Sequence, residues 1–205
     1  MRSTTLMLLP AAIALGMTGL ALAQAQGGSP DPKAAQAGTY RIEPSHTQIG
    51  FSVLHIGFTR YDGVFSNASG ELKLDPNAPA ATSVDISVPV DSVQTTSKKL
   101  DGELKGAEFI DAGKFPTMRF RSTKVTRTGP GSAVVAGELT LHGVTRPITL
   151  NARFIGAGVN PVDKHYTVGF AATGTVKRSE FGVKAYVPLV SDEVQLTINA
   201  AFTKQ

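Results

Sequence analysis

The run AVVAGELTLHGVTRPITLNARFIG, residues 133–156, decides the fold class. In its first half Val135, Gly137, Leu139 and Leu141 take every second position, against Glu138, Thr140 and His142. In its second half Ile148, Leu150, Ala152 and Phe154 alternate in the same way with Thr149, Asn151 and Arg153. A period of two sends successive side chains to opposite faces of a sheet. One face here is apolar and the other polar. His142-Gly143 is a turn signal between the two runs. The stretch reads as strands with one side on a core and one side in water.

Working outward, the same period governs almost all of the chain from residue 40 on. Val84, Ile86, Val88 and Val90 alternate with Asp85, Ser87, Pro89 and Asp91. Met118 and Phe120 interleave with Arg119 and Arg121, and Tyr166, Val168, Phe170 and Ala172 continue the scheme. Val194, Leu196, Ile198, Ala200 and Phe202 close it. Asp75-Pro76-Asn77, Gly129-Pro130-Gly131 and Asn160-Pro161 mark turns. Pro89 has no amide hydrogen, so its strand should lie at an edge or bulge, or turn that side to solvent.

One segment breaks the rhythm. Leu100, Leu104, Ala107 and Phe109 or Ile110 approach helical spacing, which predicts one α-helix around 97–111, ended by Gly113 and Pro116. Residues 177–192 show no clear period. The class is therefore all-β, with about eight antiparallel strands and one connecting helix. A sheet of that size tends to close into a barrel and so remove its edges. A two-sheet sandwich produces the same alternation. The period alone leaves both open.

The first 23 residues read as a signal peptide, with Arg2, an apolar run from Leu6 to Leu15, and Ala21-Leu22-Ala23 as a small-x-small cleavage site. Residues 24–38, rich in Gln, Gly, Ala and Pro, read as a disordered leader. The folded domain is expected over 39–205, in the periplasm. The chain has no cysteine, which excludes disulfides, thiolate metal sites and a cysteine nucleophile. The formal charge of +4 is scattered and forms no Lys/Arg block. Nucleic acid is therefore not expected as a partner.

Of the four histidines, His142 and His165 fall on polar phases or turns and are expected at the surface. His55 breaks the pattern. Ile49, Phe51 and Val53 occupy one face of their strand, and His55 is next on that face. Either it is a core histidine with a hydrogen-bond partner, or it is a polar contact inside or at the mouth of a cavity. No His/carboxylate spacing suits a metal, and neither a nucleophile elbow nor a phosphate loop is present. Phe51, Phe120, Phe154, Phe170 and Phe202 share the inward phases with Ala68, Gly70, Gly137, Ala152 and Ala172. Large rings beside small residues are compatible with an internal cavity.

Four segments in order, YRIEPSHTQIGFSVLHIGFTRYDGVFSNASGEL, LKGAEFIDAGKFPTMRFRST, GELTLHGVTRPITL and GFAATGTVKRSEFGVKAYVPLVSDEVQLTI, resemble the YceI-like family over roughly residues 39–203. The resemblance implies an extended, lipocalin-like antiparallel barrel with a helix, holding a long apolar molecule in its lumen. It also implies an exported bacterial protein that binds a polyisoprenoid or related lipid and is not an enzyme. The family's Phe-x-Val-x-His falls on Phe51, Val53 and His55. Its Gly-x-Leu-Thr-x-x-Gly falls on Gly137, Leu139, Thr140 and Gly143, and its Arg-Ser-x-Phe-Gly on Arg178, Ser179, Phe181 and Gly182. Leu100 and Glu103 stand where relatives usually have Arg and His, and Glu108-Phe109-Ile110 replaces Asp-Phe-Phe.

The expected ligand-binding residues are Phe51, Val53 and His55 on the first strand motif, then Val88, Phe109, Met118 and Phe120. Leu139, Phe170, Arg178 and Phe181 complete the set. No cofactor is expected beyond a bound lipid, a polyprenyl chain or an isoprenoid quinone, carried, stored or sequestered. Transient membrane contact and a homodimer are compatible with this reading. The alternative is an enzyme acting on a hydrophobic or lipid substrate, with His55 as acid or base. Strands of about ten residues at about 3.3 Å each make a barrel some 30 Å long, enough for many isoprene units laid end to end.

Overall fold

The computed structural model describes residues 27–205, so the expected signal peptide and the first residues of the leader lie outside it. The deciding stretch forms a hairpin of β6 (Ser132–Leu141) and β7 (Val144–Val159), in the register Val135↔Leu150 and Leu141↔Val144. Its two-residue turn has both His142 and Gly143 at positive φ, 51° and 73°. Such a turn matches the right-handed twist of the strands it joins.

Seven further strands extend this sheet: β1 (Gly38–His55), β2 (Thr59–Phe65), β3 (Ser69–Leu74), β4 (Ser83–Pro89), β5 (Thr117–Gly129), β8 (Tyr166–Lys177) and β9 (Glu193–Lys204). Every pairing is antiparallel. β1 decides between barrel and sandwich. One edge pairs with β9, and the other pairs with β3 near the start of the strand and with β2 near its end. The sheet closes on itself as an eight-stranded barrel of β1 and β3–β9, with β2 folded against the end of β1. Closure removes the free edges that a flat sheet would leave.

β1 bends at a bulge between Glu43 and Gln48. Thr47, almost fully buried, fills the interrupted ladder there. Its hydroxyl donates to the Glu43 carbonyl at 2.7 Å and accepts from the Ala201 amide at 3.2 Å. The Glu43 carboxylate accepts from the Ser45 and His46 amides across the same bend. Pro89 sits at the last pair of β4, opposite Thr117, where a missing amide costs the ladder little.

The helix differs from expectation. α1 spans Lys98–Lys105 with Ser97 as its N-cap, and the chain leaves helical geometry at Gly106 rather than running to 111. Gly106 is extended, at φ −73° and ψ 167°, and its amide donates to the Glu103 carbonyl. Residues 106–112 continue as hydrogen-bonded turns, with Ile110 N–H on the Leu104 carbonyl and Ala112 N–H on that of Lys105.

The leader differs too. Residues 27–38 lie against the barrel: Ser29 pairs with Ala157, and Pro32–Ala34 form a short 3-10 turn capped by Asp31. A stretch without periodicity can still be ordered when something fixed receives it. The barrel therefore has two distinct ends. The strap end carries the leader and the 75–82, 130–131 and 160–165 connections. The rim end carries the 56–58 and 142–143 turns, the 178–192 loop and the 90–116 segment with α1.

Candidate functional site

The inward phases of the strands enclose one cavity of about 940 Å³ that runs from rim to strap. Its wall is almost wholly apolar. Phe51 and Val53 of β1, Val88 of β4 and Met118 and Phe120 of β5 face it, as do Leu139 of β6 and Phe170 of β8. These expected residues therefore come together on one surface. Two glycines keep that surface clear. A Cβ on Gly63 would lie 2.2 Å from the Phe51 ring, and one on Gly137 would lie 2.5 Å from the Phe120 ring. Glycine at each place lets an aromatic ring lie back against the wall instead of crossing the lumen.

The floor is made by the strap. Pro32 and Ala35 face the cavity from the leader. Tyr40, fully buried, donates its hydroxyl to the Gln36 carbonyl at 2.8 Å, and Tyr166 donates to that of Ala34. Burial, with the Tyr166 hydroxyl nearby, pushes the Tyr40 phenol up to about 12. Above the floor, Phe170 stacks edge-on between Phe154 and Phe202, at 5.9 Å and 6.3 Å.

The rim carries one group of polar side chains, and Asp75, Thr82, Arg127 and Ser132 form another at the strap end. His55, Thr59, Tyr61, Thr95 and Glu103 border the cavity at the rim. His55 is exposed, at the end of β1, and is not a core histidine. Among the described residues its ring has no hydrogen-bond partner, and Tyr61 is its aromatic neighbour at 6.4 Å. The periodicity continues through His55, but the strand outruns the core there. Leu100, Leu104 and Phe109 of the 90–116 segment close the side of the lumen between β2 and β5. Positions 100 and 103, which depart from the family pattern, are thus on the cavity wall.

Arg178 and Phe181 are both held within the rim loop. Arg178 borders the cavity, but its guanidinium is buried and donates to four backbone carbonyls: Ser191, Val183, Ala185 and Val190, at 2.7–3.3 Å. Burial pulls its pKa below the usual range and Asp192 opposes that shift. Phe181 is buried away from the cavity wall, and its carbonyl accepts from His142 Nδ1 at 3.1 Å. His142 is accordingly half-buried rather than at the surface, with Phe115 edge-on at 4.7 Å. Ser179 donates from its amide and hydroxyl to Asp192 at 2.8 Å and 2.7 Å, which offsets the burial of that carboxyl and holds it below the usual carboxylate range. The Arg-Ser-x-Phe-Gly stretch is a knot that fixes the rim loop.

Several wall residues had no periodic signal. Tyr186 and Leu189 come from the irregular 177–192 loop, and Pro32 and Ala35 from the leader. Among the described residues no cluster of three His, Asp or Glu side chains could hold a metal. No buried side-chain nitrogen or oxygen lacks a partner there either. The geometry is that of a container for a long apolar molecule, with polar side chains at both ends: His55, Thr59, Tyr61, Thr95 and Glu103 at the rim and Asp75, Thr82, Arg127 and Ser132 at the strap.

The YceI-like domain matches residues 40–202. A UPF0312 protein of Vibrio cholerae is 40% identical over 155 residues, spanning 75% of this chain and 82% of that protein. Burkholderia cenocepacia BcnA superposes with a TM-score of 0.71 at 22% identity, covering 78% of this chain and 98% of BcnA. A polyisoprenoid binding domain from Saccharophagus degradans superposes with a TM-score of 0.61 at 13% identity, covering 81% and 98% of the two chains.

Proposed function

We propose that this chain, which belongs to the YceI-like family, is an exported periplasmic protein that holds a polyisoprenoid or isoprenoid-quinone-like amphiphile in its lumen. The observation that carries this reading is the apolar cavity, about 940 Å³, continuous from rim to floor. The polyisoprenoid-binding neighbour supports the ligand class. Each buried methylene-sized group contributes about 0.8 kcal/mol gross, less the costs of ordering. Affinity should therefore rise with chain length and level off once the lumen is full, beyond which the tail projects.

The Phe154, Phe170 and Phe202 cluster favours the tail toward the strap, with the head at the rim beside His55 and Tyr61. Transport, storage and sequestration all fit such a container. An enzyme using His55 would need a partner to set the ring's tautomer, and among the described residues none is within hydrogen-bonding distance. Organic extraction of the purified protein followed by mass spectrometry should yield an isoprenoid quinone or polyprenyl lipid. A protein that yields none, and takes up none added in detergent, would end the proposal.

A further inference from the structure

Leu54, Ile56 and Phe58 at the β1–β2 turn, and Tyr186 and Leu189 in the 178–192 loop, stand exposed side by side at the rim. Phe58 is 88% exposed, Leu189 63% and Tyr186 62%. The two segments are joined, with Ile56 N–H on the Leu189 carbonyl and Ser191 N–H on that of Leu54, both at 2.9 Å. Arg178 holds the second segment from beneath. The patch is therefore a fixed surface and not a frayed end. Contiguous exposed apolar groups on a rigid frame mark an interaction site.

We infer that this rim docks on the surface of an anionic lipid bilayer. Three observations select that occupant. Ile56, Tyr186 and Leu189 belong both to the exposed patch and to the cavity wall, so an apolar path leads from the outside into the lumen. The segments 54–61 and 182–190 contain Arg60 and Lys184 and no carboxylate, which suits an acidic headgroup layer. A symmetric pair of copies meeting through this face would set those like charges against each other. Glu103 and Glu108 border the patch on its Tyr186 side, so Phe58 leads the contact. Phenylalanine inserted below the headgroups, with arginine and lysine among them, is the ordinary arrangement of an interfacial anchor. The choice of a bilayer rests on the lumen being a lipid site, since a water-insoluble ligand is best exchanged without crossing water.

The test is sedimentation of the full protein with vesicles of phosphatidylglycerol mixed into phosphatidylcholine, and with phosphatidylcholine alone. Binding to the anionic vesicles is expected. Phe58→Ser should weaken it about tenfold. Lys184→Glu should weaken it several-fold on anionic vesicles and leave the neutral ones unchanged. Val162→Ser, at an equally exposed residue of the strap end, should change nothing. Phe58 and Lys184 are off the cavity wall, so both variants should still load isoprenoid from detergent micelles. Absence of vesicle binding, a Phe58→Ser protein that binds as before, or an equal loss in Val162→Ser would overturn the inference. So would self-association abolished by Phe58→Ser without any vesicle binding. A protein that docks but loads no isoprenoid would overturn the proposed ligand and leave the docking surface standing.

Discussion

At the strap end, two tyrosine hydroxyls reach out from β1 and β8 to backbone carbonyls of the leader and draw it across the barrel mouth. At the rim end, one arginine reaches four carbonyls of the 182–192 loop and holds that loop in place while its side chains stay in the open. Both devices use a buried donor on carbonyls of irregular chain, and they produce opposite surfaces. Beneath the leader, order goes with coverage, and Tyr40, Val168 and Phe202 are sealed, while Val162 in the separate 160–165 turn of that end stands in the open. At the rim, order goes with exposure of Leu189 and Tyr186. Exposure of an apolar residue thus says nothing by itself about looseness.

The comparison breaks most visibly at Arg178. Arg178→Met removes a buried charge-assisted donor and leaves several carbonyls unpaired, which should cost about 3 kcal/mol or more. Urea unfolding measures the loss. Amide exchange should accelerate across 182–192 while β8 near Val168 stays protected. Equal loosening at both ends would mean that the knot supports the whole barrel and not the rim alone.

Ala152→Phe tests whether both ends serve one cavity. Ala152 faces the lumen from β7, midway along the barrel. A ring there meets open space rather than packed side chains, so stability should move by less than about 1 kcal/mol. Ligand affinity should fall at least about tenfold as volume is lost. Isothermal titration in detergent against several chain lengths reads both the loss and the shorter plateau.

At the strap, Tyr40→Phe deletes one hydroxyl on the Gln36 carbonyl and should cost about 1 kcal/mol. The alkaline limb is more specific. Because Tyr40 titrates near 12 when folded, through its burial and then the neighbouring Tyr166, and about 10 when unfolded, its contribution is intact below pH 10. It is lost as the pH rises through 12, since the unfolded chain releases that proton first. Tyr40→Phe should flatten the fall in stability across that window. An unchanged slope would show that the phenol is not what the strap depends on.

The strands were legible because alternation is enforced wherever one face is buried, as in 133–156. Closure was not legible. It depends on Ile49 meeting Ile198 across the whole length of the chain, and no local pattern records that pairing. The helix was overextended because Ala107, Phe109 and Ile110 keep near-helical spacing while Gly106 ends the helix beneath them. Within the site, the lumen phases of Phe51, Met118, Leu139 and Phe170 followed directly from the period. The strap and the rim loop gave no such signal, because irregular chain is held by donors acting on its carbonyls, and side-chain pattern does not encode acceptors. Phe181 and His142 show the same gap. A positive-φ turn swings a histidine from the polar phase of a strand onto a loop carbonyl.

His55 carries the smallest structural effect and the finest functional one. Its ring is exposed and has no hydrogen-bond partner among the described residues, so His55→Leu should change stability by no more than about 0.5 kcal/mol. If the imidazole meets a polar head at the rim, the change should weaken binding of a quinone with a tail that fills the lumen several-fold. Binding of a polyprenyl hydrocarbon of the same length should hold or tighten, because a leucine extends the apolar wall. Competition between the two ligands in one titration reads the ratio directly. A parallel loss for both would assign His55 to the shape of the rim and not to head recognition, and the polar head would then face Tyr61 and Thr95 instead.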